Sequence, residues 1–391
     1  MLDKAKSLLQ PSRRSAVPPF MVMDVMAAAA RLEAQGRRVV HMEVGQPAAA
    51  APSAAIAAAR AALSSGALGY TETLGIGSLR QRIARSYGER HGLDIDPQRV
   101  VVTTGSSGGF VLAFLAAFEA GDRVAMALPG YPPYRHIATA LGCEPVGIAC
   151  GAQTRWSLTG ESLLREHRAR PLKGVVVGSP ANPTGTMMNA SALAELIACA
   201  EDAGIALISD EIYHGLDYAF VAESAARISP DAIIVNSFSK YFCMTGWRIG
   251  WMIVPPALVR AVERLQQNLA ISVPTLSQIA AQAAFDGRAE LEEVKRGYQE
   301  NRRILVEGLP RAGLDSFLPA DGAFYLYADV SRFSTDSFAF ASRMLEEAGV
   351  AVTPGIDFDP VHGHTFIRLC YAGSRQDMAE AVERIGAWLK G

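Results

Sequence analysis

The chain reads as an α/β fold, with a large domain on a mostly parallel sheet followed by a smaller α+β domain. Three observations predict it. Between residues 78 and 250, short apolar runs alternate with helical segments, the pattern of strands buried on both faces and joined by crossover helices. After Gly250 the alternation gives way to consecutive helices and a long charge-laced segment at 288–308. Beyond it, strands and helices return over a much shorter stretch.

In chain order, residues 1–19 are polar, end in Pro18-Pro19 and read as an arm. A helix over 20–35 stops at Gly36, and a strand over Val39–Val44 runs into Gly45-Gln46-Pro47. An alanine-rich helix from Ser53 precedes the glycine-bounded loop 66–70, which ends in Tyr70. The alternating region then reads as helix 78–91, strand 100–104, helix 110–119 opened by Gly105-Ser106-Ser107-Gly108-Gly109, and strand 123–127. The turn Pro129-Gly130-Tyr131-Pro132-Pro133-Tyr134 leads to a further helix, strand 144–149, helix 161–168 and strand 174–178. Helix 191–203, strand 205–209 and strand 232–236 complete it. Helices at 256–270, 275–286 and 288–308 follow, the last with Glu292 and Arg296 at pairing distance. The tail reads as strand 323–327, helix 335–348, strands 350–352 and 366–371, and helix 375–390, opened by a Ser374/Asp377 capping box.

The chain has 391 residues, half of them hydrophobic, enough for more than one core. A net charge of −2 and no basic run longer than Arg13-Arg14 or Arg37-Arg38 speak against nucleic acid. Five scattered cysteines without a CxxC read as reduced thiols. With no signal-peptide core and no spanning apolar run, the expectation is a soluble cytoplasmic protein without a membrane partner.

The stretch Ser237-Phe238-Ser239-Lys240, continuing to Arg248 and Trp251, sets one lysine among aromatic and apolar neighbours. Such a lysine is costly unless it loses its charge or gains a partner. A desolvated amine of lowered pKa is the form that makes a Schiff base with an aldehyde. Ser237, Ser239 and Arg248 are groups that hold a phosphate. Lysine beside a phosphate clamp points to pyridoxal 5'-phosphate; the plain structural alternative is a buried turn whose Lys240 reaches out to solvent.

Ligands of open parallel sheets sit outside the carboxyl ends of the strands, where four stretches fall. Gly105-Ser106-Ser107 opens a helix whose N–H groups suit a phosphate, or is simply a turn. Asp210 ends a buried strand and needs a cationic or hydrogen-bonded partner, either a pyridinium N–H or, in the plain structural reading, an N-cap contact or an arginine. Asn182 is a turn residue or a donor to a phenolic oxygen, with Tyr213 the second donor. The fourth is Ser237 to Lys240. Tyr131, in a stiff proline turn, stacks on a ring or merely packs. Arg368 lies between apolar residues and either faces solvent or forks onto a carboxylate. His362 and His364 lack a third ligand, so no metal site is expected.

With these residues placed, the sequence resembles fold-type I pyridoxal phosphate enzymes of the class I/II aminotransferase family, which includes aspartate aminotransferase. The resemblance runs from about Pro18 to Lys390. It rests on Ser-Pro-Ala-Asn-Pro-Thr-Gly-Thr (179–186), Asp-Glu-Ile-Tyr (210–213) and Ser-Phe-Ser-Lys followed by Thr-Gly-Trp-Arg-Ile-Gly (237–250). Pro-Gly-Tyr-Pro (129–132), Gly-Ala-Phe-Tyr-Leu (322–326) and Arg-Leu-Cys-Tyr-Ala (368–372) are similar too. It implies a seven-stranded, mostly parallel sheet in a large domain over 48–286. Residues 1–47 form an arm and part of the small domain, and 287–391 the connecting helix and the small C-terminal domain. It further implies transfer of the amino group of an L-amino acid to a 2-oxo acid, with Lys240 carrying the cofactor as an aldimine and moving the proton that gives the ketimine. Asp210 would pair with the ring nitrogen, Asn182 and Tyr213 with the ring oxygen, and Tyr131 with the ring face. Ser106, Ser107, Ser237, Ser239 and Arg248 would hold the phosphate, beside Gly105. Arg368, with the N–H of Gly45 and with Asn182, would bind the substrate carboxylate. Tyr70 would reach the neighbouring site of a homodimer.

Two departures stand out. Gly-Ser-Ser-Gly-Gly-Phe (105–110) is glycine-rich, and Asp357 lies in a loop near the substrate. The same motifs also serve a carbon–sulfur lyase or another amino-acid lyase or synthase, so those reactions stay open at this point. A transcription regulator of similar sequence needs a winged helix ahead of a match that begins near residue 18, and no basic recognition helix is visible. No arginine is assignable by spacing to a substrate side chain.

Overall fold

The computed structural model describes residues 11–66 and 68–391. The first ten residues of the expected arm, and Ala67 in the loop before Tyr70, lie outside the described residues. The chain opens with α1 (Met21–Ala34), β1 (Val40–His41), α2 (Ser53–Ser65) and α3 (Gly77–His91). Gly66 and Gly92 end the last two in the left-handed region, at φ of 71° and 65°, the usual glycine stop.

The large sheet is laid down by β2 (Val100–Thr103), α4 (Gly105–Ala117), β3 (Arg123–Leu128), α5 (Pro132–Leu141), β4 (Glu144–Ala149) and α6 (Gly160–Ala169). It continues through β5 (Gly174–Gly178), α7 (Ala190–Asp202), β6 (Ala206–Asp210), α8 (Ala225–Ile228), β7 (Ile233–Ser237) and β8 (Gly250–Ile253). Its seven strands run in the order β2-β8-β7-β6-β5-β3-β4. All pairings are parallel except those of β8, which is antiparallel to both β2 and β7. Burial is two-sided. Val100 and Val102 face one apolar cluster, with α2, α3, α7 and the helix that begins at Thr275. Val101 faces another, with α4 and α5.

The sequence reading stopped the sheet at Gly250 and so missed β8. The run Trp251-Met252-Ile253-Val254 is buried throughout, and continuous apolarity of that length is itself a signal for an interior strand. The strand matters for function because its register sets Gly250 opposite both Ser237 and Thr103. α4 also begins earlier than expected, at Gly105 instead of residue 110.

The remainder comprises α9 (Pro256–Leu269), α10 (Thr275–Ala284), α11 (Arg288–Ala312), β9 (Tyr325–Asp329), α12 (Ser337–Arg343), β10 (Val350–Ala351), β11 (Thr353–Pro354), β12 (Phe366–Cys370) and α13 (Arg375–Lys390). The expected helix 335–348 is α12 followed by a π turn over Met344–Ala348. Strands β11-β12-β9 form an antiparallel sheet, and β1, shorter than the expected 39–44, pairs in parallel with β10. A separate apolar cluster joins Val40, Leu305, Leu326, Ile367 and Ile385. α11 spans the two regions, with Leu291 in the sheet-side cluster and Leu305 in the other. The expected Glu292–Arg296 pair does not form. Arg296 pairs with Glu293, while Glu292 accepts a 2.6 Å hydrogen bond from the Tyr241 hydroxyl. At α13, Ser374 accepts the N–H of Asp377 at 3.0 Å, but its hydroxyl donates to the Asp377 carboxylate, 2.6 Å away, so only one arm of the capping box forms with backbone. No described helix is long and apolar enough to cross a membrane.

Candidate active site

The carboxyl ends of β5, β6 and β7 deliver the central groups side by side. Gly178 lies opposite Asp210, and Asp210 opposite Val235, two residues before Ser237. Lys240 follows in the loop after β7, and its Nζ donates to the Gly45 carbonyl at 2.6 Å. Burial pushes the amine down to about 8; Arg368 and Arg248 add to the fall, while Cys370 and Asp210 oppose it. A Cβ on Gly45 would lie 1.8 Å from the Tyr325 hydroxyl, so any larger residue there forces Tyr325 to move.

Asp210 is buried at the end of β6 and accepts hydrogen bonds from the Tyr134 hydroxyl and, at 3.1 Å, from the Ile212 N–H. Burial nevertheless raises its carboxyl to about 6. No cation touches it among the described residues, so it is an anion built into the protein without its counter-charge.

Arg368, on β12, is only 1% exposed. Its Nη1 donates to Asn182 Oδ1 at 2.9 Å, and its Nη2 to Thr353 Oγ1 at 3.1 Å and to the Glu43 carbonyl. The rings of Tyr325 and Phe358 lie 4.5 and 4.7 Å from the guanidinium carbon. Its Nε has no acceptor among the described residues. A buried cation held by neutral groups, with a donor to spare, is the fork a carboxylate would complete. The bond to Arg368 occupies the amide oxygen of Asn182 and leaves its NH2 to donate. Tyr213 shares a 2.7 Å hydroxyl–hydroxyl bond with Tyr325.

At the other end, Ser237 Oγ donates to Ser239 Oγ at 2.8 Å and accepts the Ser239 N–H at 3.0 Å. Arg248 lies so close over Gly105 that a Cβ there would stand 2.4 Å from its Nη2. Gly105 has a φ of 66° and starts α4, whose first N–H groups, at Gly105, Ser106 and Ser107, are free of intrahelical partners. The close approach depends on β8, since a Cβ on Gly250 would meet Gly105 C and Ser106 N at 3.0 Å. A helix N-terminus, an arginine and four hydroxyls make an anion cradle.

Asp210, Ser237 and Lys240 lie at neighbouring strand ends, Asn182 meets Arg368 and Arg248 lies over Gly105, whereas Tyr70 is 82% exposed on the surface. Tyr131, at the start of α5, meets Phe20 and Tyr134 edge-on at 6.1 and 5.3 Å. The sequence reading missed Tyr134, Tyr325, Glu43 and Thr353. Tyr134 had a usable signal, since it stands one helical turn after Tyr131. The uncompensated Asp210, the lysine of lowered pKa and the cradle at α4 match the ring nitrogen, aldehyde and phosphate of pyridoxal 5'-phosphate.

The profile of the family described as aminotransferase class I and II matches residues 37–385. The valine–pyruvate aminotransferase of Mycobacterium tuberculosis is 52% identical over 380 residues, covering 96% of this chain and 97% of that protein. A crystal structure of an aminotransferase from Mycobacterium tuberculosis superposes with a TM-score of 0.95 at 51% identity, covering 98% of this chain and 99% of the other. Aspartate aminotransferase from Thermus thermophilus with maleate gives a TM-score of 0.92 at 32% identity, covering 97% of this chain and all of the other. The chain belongs to the class I and II aminotransferase family, and is a pyridoxal 5'-phosphate-dependent transaminase that moves an amino group between amino acids and oxo acids, which favours transfer over the lyase alternative.

Proposed function

We propose that the enzyme takes the amino group of a neutral, aliphatic amino acid of the valine type and passes it to pyruvate. The observation that carries this is the charge inventory of the cleft. The guanidiniums whose charge bears on Tyr131 and Lys240 are Arg248 and Arg368. One lies over the phosphate cradle and the other forms the fork for the α-carboxylate, so neither of these two is left for a side-chain carboxylate. The name of the 52%-identical relative supports the same substrates.

In this reading bound pyridoxal 5'-phosphate supplies the aldehyde and the electron-accepting ring, and the chain does the rest. Lys240 Nζ carries the proton that leaves the donor's Cα; an amine near pH 8 serves both as base and as acid. Asp210 holds the positive ring nitrogen, and the Asn182 NH2 and the Tyr213 hydroxyl donate to the ring oxygen. Tyr131 packs on the ring. Ser106, Ser107, Ser237, Ser239 and Arg248 hold the phosphate where Gly105 lets the backbone approach. Arg368 and the Gly45 N–H fix the α-carboxylate and so aim the Cα–H bond at Lys240. Tyr70 completes the phosphate site of a second copy in a homodimer. Residues 48–286 act as one body, and 1–47 with 287–391 as the other. The five unpaired cysteines suit the cytoplasm.

A donor panel against pyruvate and 2-oxoglutarate tests the proposal. Valine with pyruvate is expected to exceed aspartate with 2-oxoglutarate in kcat/KM by about tenfold or more, the scale of one charged hydrogen bond. Equal or better use of the dicarboxylates would overturn it.

A further inference from the structure

We propose that Glu211 and His214 form a neutral, proton-sharing pair behind the cofactor cleft, and that this pair positions Asn182 for turnover. Within the turn 210–214, Asp210 and Tyr213 are the groups proposed to meet the cofactor. Glu211 and His214, between and after them, are buried at 1% and 7% exposure and face each other, with Oε2 and Nδ1 3.5 Å apart. The His214 N–H closes the turn on the Glu211 carbonyl at 2.9 Å.

Each partner is pinned on its other side. Glu211 Oε1 accepts the Ala225 N–H at 2.9 Å and the hydroxyls of Ser224 and Ser209 at 3.0 and 3.3 Å. No lysine or arginine reaches this carboxyl among the described residues. His214 Nε2 lies 3.1 Å from the Ser179 carbonyl, which can only accept, so Nε2 carries the ring proton and Nδ1 is a bare lone pair. An ionised Glu211 would therefore set two acceptors face to face in a buried site, and Nδ1 has no other partner among the described residues. A proton on Oε2 removes that conflict and gives Nδ1 its hydrogen bond.

The surroundings keep the proton there. Burial lifts the Glu211 carboxyl to about 8, and the charge of Asp210 beside it adds to the rise. Burial, with Arg90 and His91 on α3, keeps the His214 ring neutral against the pull of Asp217. Tyr87, which also faces Glu211 from α3, is itself held neutral by burial. Of the two adjacent carboxyls, Asp210 carries the charge and Glu211 the proton.

The link to turnover runs through Ser179, which follows β5 and opens the loop to Asn182. Its N–H reaches the Asp210 carbonyl at 3.3 Å, and its hydroxyl accepts the Met188 N–H at 3.0 Å. His214 holds its carbonyl. Three residues on, Asn182 takes Arg368 on its amide oxygen at 2.9 Å. The pair thus sets where Asn182 stands and, through it, the fork for the donor's carboxylate; this step rests on the roles proposed above for Asn182 and Arg368. As pH rises through 8, Glu211 loses its proton, the pair comes apart and Asn182 loses that support.

Infrared difference spectroscopy of the holoenzyme between about pH 7 and about pH 9, either side of the Glu211 carboxyl, tests the pair directly. A carboxylic acid C=O band is expected at the lower pH and not at the higher. It is absent from Glu211→Gln, and it moves to higher frequency in His214→Phe, where the acid loses its acceptor. Kinetics test the positioning. Glu211→Leu is expected to lower kcat/KM for the amino donor about tenfold at pH 7, mainly through KM. Glu211→Gln, whose amide donates to Nδ1 and accepts from Ala225, restores most of the loss and holds it to higher pH than wild type. Absence of the band at pH 7, its persistence in Glu211→Gln, or a glutamine variant no better than the leucine one would overturn the proposal. The infrared outcome is independent of the roles given to Asn182 and Arg368. If the band behaves as expected and Glu211→Leu keeps the wild-type KM, the positioning role is overturned.

Discussion

Asp210 shows how a single residue can oppose folding and serve chemistry. Its carboxyl rises from 3.8 to about 6 on burial, so between those values the folded protein holds a proton that the unfolded chain has released. The stability of the cofactor-free protein therefore falls as pH rises through that window, by up to roughly 3 kcal/mol. Asp210→Asn keeps the shape and removes the charge. The cofactor-free variant is expected to melt above wild type at pH 7 and together with it below pH 3.8, while its affinity for pyridoxal 5'-phosphate falls. A variant that melts lower than wild type at pH 7 would contradict this. Arg368 gives a second prediction. Its two Nη groups are committed to Asn182, Thr353 and Glu43, a geometry that an ammonium cannot reproduce. Arg368→Lys is expected to lower kcat/KM for the amino donor about 10- to 100-fold, with cofactor affinity nearly unchanged, as read by steady-state kinetics and cofactor titration.

Among the elements, β8 decides how the phosphate cradle is assembled. Its first residue, Gly250, has backbone atoms on every side, with Asn236 O 2.7 Å and Gly105 C 3.0 Å from where a Cβ would stand. Backbone cannot turn aside as a side chain can. Gly250→Ala is expected to destabilise the protein by about 1–3 kcal/mol and to weaken phosphate binding at α4, measured by denaturation and cofactor titration. The contrast with what was legible in the sequence is instructive. Lys240, Asp210, Asn182 and Arg248 announce themselves through local context, a costly charge or a turn at a strand end. β8 was hidden because a four-residue apolar run after a glycine reads equally as the start of a helix. Tyr134 and Tyr325 act across the fold, on Asp210 and on Tyr213, contacts that no spacing along the chain encodes. The Glu292–Arg296 expectation failed for a similar reason, since Tyr241 from another segment claims Glu292.

At the scale of the whole molecule, the candidate site draws on two sheets. Lys240 comes from the large sheet, while Arg368 and Tyr325 come from the small antiparallel one, and α11 spans both. The exposure of Tyr70 fits the proposed homodimer and makes it testable by complementation. A variant lacking Lys240 and a variant with Tyr70→Phe are each expected to be impaired alone. Refolded together, they are expected to regain activity in mixed dimers, because one of the two sites then carries neither change. No recovery would argue against shared sites. The central claim, that Lys240 carries the cofactor, is tested most directly by borohydride reduction of the holoenzyme followed by peptide mapping. The account predicts the cofactor's mass on the peptide containing Lys240, and no such adduct in Lys240→Ala. Cofactor fixed to a different lysine, or normal turnover by Lys240→Ala, would contradict it.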